Sequence, residues 1–258
     1  PDILVVAAMK EEVGYFISDD SLVVLPLRPS QSAPDQSKPR NCRWYWEPAE
    51  YQARVGIWVC GVGKKRSSKS IKQALTVINP KKVIVAGISG SLSSKLDICD
   101  LIIPQSVFNG DIPDAPEKLF DTNVIQEMKS VMVKSGIEIQ SGTAVCCNRM
   151  IDKKADKDWL HKHFEADCVD MESYHLLRVL QESKVSTAMI RIVSDLADES
   201  LGLDFSKLPT SRLALKLYFL THPLIYLAFR ATRKKALAAM ERLNLVLQTI
   251  LQDKIVSS

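Results

Sequence analysis

The chain has 258 residues, 46% hydrophobic and 25% charged, enough for a sizeable core in one large domain or two small ones. A formal net charge of +4 is too small to mark a nucleic-acid binder, and no basic segment precedes the apolar N-terminus, so no signal peptide is expected. The six cysteines (42, 60, 99, 146, 147 and 168) fit neither a zinc site nor a C-x-x-C redox pair and suggest a reducing cytoplasm.

Ile3 to Ala8 is a continuous apolar run, the pattern of a central strand covered on both faces. Met9, Lys10, Glu11 and Glu12 follow it, then a short helical pattern through Val13 and Phe16. Leu22 to Leu27 reads as a short strand, and residues 28–40, rich in Pro, Ser and Gln, as an exposed loop. Residues 42–46 and 54–60 look like a hairpin pair. Gly61-Val62-Gly63-Lys64 then opens a helix reaching Ile78, and a glycine pair between strand and helix suits an anion or a close-packed ligand. Lys82 to Ala86 is another buried strand, ending in the small residues of GISGSL (Gly87 to Leu92). Strand 97–107, a proline-containing loop at 110–119, helix 123–135, strand 138–146 and the mostly polar helix 153–164 follow. Residues 167–198 read as strand, helix, strand, with Glu172 where the first strand meets the helix and Asp195 where the second strand ends. Repeated strand–helix alternation predicts an α/β domain: helices flanking a central, twisted, mixed but mostly parallel sheet in three layers.

The C-terminal part differs. From Lys207 to Arg242 there are eight bases and one acid, a segment of +7 against about −3 for the remainder. Leu213 to Phe229 is an apolar run, shorter than the roughly 20 residues a spanning helix needs and interrupted by Pro223. Residues 228–251 read as a basic amphipathic helix, suited to packing on the core, to a dimer interface or to acidic lipid. The expected division is a catalytic domain over 1–205 and a basic, apolar helical extension over 206–258.

Three acids fall at strand ends: Glu12, Glu172 and Asp195. In α/β sheets ligands sit at the carboxyl ends of strands. No P-loop, HExxH or GxSxG is present, and no histidine lies beside a nucleophile motif. His161 and His163 are two residues apart and do not share a helix face, so no metal pair is expected there. Acid–base chemistry on a neutral small molecule is the reading these residues support.

Six segments in order, AMKEEV (8–13), GVGK (61–64), AGISGSL (86–92), SGTAV (141–145), VDMES (169–173) and RIVSDLAD (191–198), resemble the nucleoside phosphorylase/nucleosidase superfamily. The likeness is greatest to 5′-methylthioadenosine/S-adenosylhomocysteine nucleosidases, and it spans residues 3 to 205. The resemblance implies cleavage of a purine N-glycosidic bond through a ribosyl-cation-like transition state. Asp195 would carry a proton and give it to N7 of the base, and Glu12 would activate the attacking water. Met171 and Glu172, the latter ionised, would hold the ribose, with Arg191 and Ser194 in support. Val145 and Cys146 would pack the base and bind it through the backbone, and Met9 and Phe205 would line the 5′ pocket. Gly87 and Ile88 lie in the loop that holds water or phosphate. The resemblance implies no cofactor, phosphate being a candidate co-substrate, and a homodimer with a small-molecule nucleoside as partner.

Two departures stand out. Ile88 occupies a position where the family carries a hydroxyl residue, and Val145 replaces a usual aromatic. The basic tail resembles the hopanoid-associated phosphorylase branch, whose members act on an adenosyl lipid, and implies peripheral membrane contact. Three readings follow: hydrolysis of a 5′-substituted adenosine, hydrolysis or phosphorolysis of an adenosyl lipid, and a nucleoside-binding protein impaired in turnover at Ile88.

Overall fold

The structure, a computed structural model, describes residues 1–14, 44–46, 55–112, 120–200, 211 and 218–252. The expected 22–27 strand, the 28–40 loop, Phe16 and Phe205 lie outside these residues.

The first strand, β1 (Ile3–Ala7), is buried at all five positions and lies between β3 (Val55–Val59) and β4 (Lys82–Ser91), parallel to both. Its apolar continuity thus has the expected cause, since helices cover both faces. β2 (Trp44–Trp46) pairs antiparallel with β3, with position 44 in backbone register with position 58, as a hairpin requires. Helix α1 (Lys64–Val77) follows β3 and is tied back to it by Trp58 Nε1 donating to Ser70 Oγ at 2.8 Å. β5 (Leu101–Asn109) leads through α2 (Thr122–Lys134) to β6 (Gln140–Cys146). Asp121 caps α2 by accepting from Asn123 N at 2.8 Å. Helix α3 (Lys154–Phe164), the short β7 (Cys168–Asp170), α4 (Ser173–Glu182) and β8 (Ser186–Asp195) complete the alternation. The last described element, α5, runs from Pro223 to Gln252, 30 residues. Pro223 starts this helix, where its missing N–H costs nothing.

The described strands form one mixed sheet in the order β2-β3-β1-β4-β7-β6-β5-β8. Most pairs are parallel, the antiparallel ones being β2–β3, β4–β7 and β5–β8. The three-layer expectation is correct, with one addition: β4 pairs with both β7 and β8, so half of the sheet closes on itself. Closure crowds the ends of β4, β7 and β8 together.

Strand alternation divides the core. Ile3, Val5 and Ala7 face α2 and α5, packing with Met128, Leu243 and Leu247. Leu4 and Val6 face α1 and α4, packing with Ile71, Leu176 and Leu177. The inner half of α5 is therefore core, buried at Ala239, Leu243, Val246, Leu247, Ile250 and Leu251. Its outer half exposes Leu220, just before it, with Leu224, Tyr226 and Leu227. A third, smaller cluster packs α3 against β6 through Val145, Leu160 and Phe164.

Candidate active site

A cavity of about 450 Å³ opens where β1, β4, β7 and β8 end. Among the expected residues, Met9, Glu12, Ile88, Met171, Glu172, Ser194 and Asp195 line it. All three strand-end acids are buried: Glu12 at 3% exposure, Glu172 and Asp195 at 9% each.

Glu12 sits in a one-turn 3₁₀ segment, Lys10–Val13, that turns its carboxylate back toward the sheet. Met9 N donates to Oε2 at 2.8 Å and Ile88 N donates to Oε1 at 3.1 Å. Burial pushes its carboxyl up, against the pull of those two amides and Arg191. Its neighbour Glu11 is exposed, so the register places Glu12 and not Glu11 in the site. Gly87 lies behind this group. A side-chain carbon there would come within 2.9 Å of Glu12 Oε1 and 3.0 Å of Arg191 Nη1, so only glycine lets both groups close on β4.

Glu172 precedes α4 and accepts Gly63 N at 2.8 Å. Gly63 has φ +86°, a conformation that favours glycine. The glycine turn that opens α1 therefore does hold an anion, and that anion is the protein's own Glu172. Burial, with Asp170 next, raises the Glu172 carboxyl to about 7. The expected ionised form is therefore the one favoured as pH rises through about 7.

Asp170 was absent from the expected set and organises its neighbours. Oδ1 accepts Glu172 N, Ser173 N and Ser173 Oγ at 3.1, 3.0 and 2.7 Å, capping α4. Oδ2 accepts Arg191 Nε at 2.7 Å. Burial alone would raise its carboxyl, but Arg191 and Ser173 more than offset this and hold it below the usual range. Arg191 is 3% exposed, paired with Asp170 and behind the cavity wall. It supports the site without facing a ligand.

Asp195 brings the largest departure. Lys157, fully buried on α3, donates to Asp195 Oδ2 at 2.5 Å and to Leu196 O at 2.6 Å. An acid expected to carry its own proton thus meets a buried ammonium. Ser194 Oγ lies 3.1 Å from both Asp195 Oδ1 and Ser89 O, and its single proton serves one of them at a time. The placement of Lys157 had a sequence signal. In an otherwise polar helix it shares the stripe of Leu160 and Phe164, the other two buried positions.

Val145 and Cys146 do not reach the cavity. Val145 points into the α3 cluster with Leu92, Leu160 and Phe164. Cys146 points to the opposite face, beside Cys168 and Leu176, and its carbonyl already accepts Gly110 N at 2.8 Å. Strand alternation turns both side chains into core, so the expected packing of these side chains on a base is corrected, while the expected contact through their backbone does not depend on where the side chains point. Met150, Ile151 and Val169 supply the apolar wall in that region. A second wall comes from α5: Phe229, Thr232, Arg233, Ala236 and Met240. Sequence reasoning had that helix packed on or beside the domain and did not place it in the site.

No group of three or more His, Cys, Asp or Glu side chains suited to a metal ion occurs among the described residues.

A half-closed mixed sheet thus brings three buried carboxylates to one cavity at its strand ends. The chain belongs to the phosphorylase superfamily, whose profile it matches over residues 2–216. It is 24% identical over 159 residues to an aminodeoxyfutalosine nucleosidase of Helicobacter pylori, covering 57% of this chain and 69% of the relative. It is 27% identical over 167 residues to a 5′-methylthioadenosine/S-adenosylhomocysteine nucleosidase of Buchnera aphidicola, covering 59% and 71%. Its fold matches a crystal structure of a Helicobacter pylori MTAN mutant with 5′-methylthioadenosine in the active site. That match has a TM-score of 0.73 at 15% identity and covers 96% of this chain and 97% of the other.

Proposed function

We propose that this enzyme hydrolyses the N-glycosidic bond of an adenosine-type nucleoside bearing an apolar 5′-substituent. The convergence of Glu12, Glu172 and Asp195 on one largely apolar cavity carries the reading. Cleavage develops positive charge on the ribose and negative charge on the purine. Buried carboxylates stabilise the first, and proton donation at Asp195 relieves the second. Glu172 accepts hydrogen bonds from the ribose hydroxyls when ionised.

Water is the nucleophile that this geometry favours. Glu12 is buried with its carboxyl raised, which strengthens it as a proton acceptor. A phosphate dianion beside it would need a compensating cation. Arg191, the cation beside Glu12, is committed to Asp170, and the two arginines that line the cavity, Arg149 and Arg233, come from the far segments after β6 and in α5. Ile88 contributes its backbone N–H to Glu12, so loss of a hydroxyl side chain there leaves the base itself held.

The α5 wall supports an apolar substituent such as a thioether, which would contact Phe229, Ala236 and Met240. The test is adenine release from 5′-methylthioadenosine with and without phosphate. Release independent of phosphate is expected. An Asp195→Asn variant should lose about 10²–10⁴-fold in kcat, the usual worth of a general acid. No adenine from the wild type, or full activity in the variant, would sink the assignment.

A second reading has its own observation. The helix that walls the cavity continues outward into an exposed apolar and basic surface: Leu224, Tyr226 and Leu227 beside Arg230, Arg233 and Lys234. That continuity suits an adenosyl group carried on a lipid. Adenine release from an adenosyl lipid in vesicles, without release from methylthioadenosine, would select it.

A further inference from the structure

We propose that Lys157 is a positioning residue that supplies, through Asp195, the proton taken by the departing base; this rests on the nucleosidase reading above. The geometry is specific. Lys157 Nζ lies 2.5 Å from Asp195 Oδ2 and 2.6 Å from the carbonyl of Leu196, holding the carboxylate and the backbone that follows it. The lysine side chain is fully buried, a costly place for an ammonium unless it is paired. The other lysines of α3, Lys154 and Lys162, are exposed.

An ionised carboxylate accepts hydrogen bonds and has none to donate to N7 of a purine. A resting ammonium–carboxylate pair therefore satisfies the reaction only if the pair's proton is delivered during cleavage. In the step we infer, the C1′–N9 bond breaks and its electron pair moves into the purine. One proton passes from Lys157 Nζ to the Asp195 carboxylate and from that carboxyl to N7. Lys157 is left as the amine, Asp195 as the carboxylate and adenine as the neutral N7–H tautomer. Water adds its oxygen to C1′ and gives its proton to Glu12. Exchange with solvent then deprotonates Glu12 and reprotonates Lys157, so the cycle closes with water consumed and no net proton change.

A second pair lies near it: Glu199, in the segment after β8, is bound by Lys235 of α5 and also feels the charge of Lys157.

The experiment compares wild type, Lys157→Met and Lys157→Arg on two substrates that share the 5′-methylthioribosyl group. One carries adenine, which must be protonated to leave. The other carries 4-nitrophenolate, which leaves as an anion. Lys157→Met should lose about 10²–10⁴-fold in kcat on the adenine substrate, with KM changed far less, and lose much less on the nitrophenolate. Lys157→Arg keeps the charge but holds its proton, so it should not restore adenine turnover. Equal losses on both substrates would mean a structural role and overturn the proposal. Wild-type kcat on adenine in Lys157→Arg would also overturn it. A wild type that cleaves neither substrate overturns the nucleosidase reading and this proposal together. A wild type that cleaves both while Lys157→Met matches it overturns this proposal alone. Thermal unfolding and adenine binding of each variant separate misfolding from loss of proton supply.

Discussion

Glu172 shows how a single residue's surroundings set its working range. Burial and the neighbouring Asp170 raise its carboxyl from 4.5 to about 7. The folded state therefore binds this proton more tightly than the unfolded chain does. The associated stability is fully present below about pH 4.5 and is lost as pH rises through about 7. The shift corresponds to roughly 3 kcal/mol at most. Urea unfolding of wild type should show stability declining from pH 5 to pH 8. Glu172→Gln should make that slope shallower, Glu12 contributing in the same direction. An unchanged slope in the variant would contradict the burial argument. Substrate affinity should move the opposite way in wild type, because the ionised form accepts the ribose hydroxyls. KM should thus fall as pH rises through about 7, a trend absent in Glu172→Gln. Glu12, Glu172 and Asp195 were legible as site residues because acids at the ends of apolar strands have few other reasons to be there. Lys157 and Asp170 were less so. Their importance lies in what they touch, and a lysine in a polar helix looks like any solvated lysine until its stripe is traced.

At the scale of elements, α5 takes the core-packing alternative among those its composition allowed. Its inner half completes the core against β1, β8 and α2, and its middle forms a wall of the cavity, which the sequence did not indicate. Leu247, fully buried in that half, should cost about 2–5 kcal/mol when changed to alanine. Leu237, 40% exposed on the same helix, should cost far less when changed likewise. Equilibrium unfolding of the two variants checks this, and equal small effects would return α5 to the status of an appendage. The corrected placement of Val145 and Cys146 belongs to the same scale. Motif likeness located the right strand, β6, but the side-chain alternation and the packing of α3 determine which way each residue points. Met150 and Ile151, just past the strand end, do the lining in their place.

At the scale of the whole molecule, the charge division read from sequence acquires a location. The basic segment's described part is α5, and its exposed apolar residues share the outer half of that helix with Arg230, Arg233 and Lys234. Among the described residues no helix is long and apolar enough to cross a membrane. If the surface meets lipid, vesicles containing acidic lipid should float the protein, and 0.5 M salt should release much of it by screening. Charge reversal at Arg230 and Lys234 should weaken flotation without touching the buried half of α5. Flotation equal on neutral and acidic vesicles would remove the electrostatic argument.

Local sequence determined the elements. The unbroken apolar runs of β1 and β4 could be stable only as strands covered on both faces, and the strand–helix rhythm implied a mostly parallel sheet. It also placed acids at three strand ends, and so located the site. What only the tertiary structure decided was how those ends meet. The double pairing of β4 closes half of the sheet and draws Asp195, Glu172 and Glu12 around one cavity. It also determined that the carboxyl group at the Gly63 turn is Glu172's, and that Asp195 is hydrogen-bonded to Lys157. The physical reason is the same in each case. A strand's apolarity and a helix's stripe are properties of neighbouring residues along the chain. Desolvation and ion pairing depend on residues tens of positions apart, such as Lys157 with Asp195 and Gly63 with Glu172, and these exist only after packing.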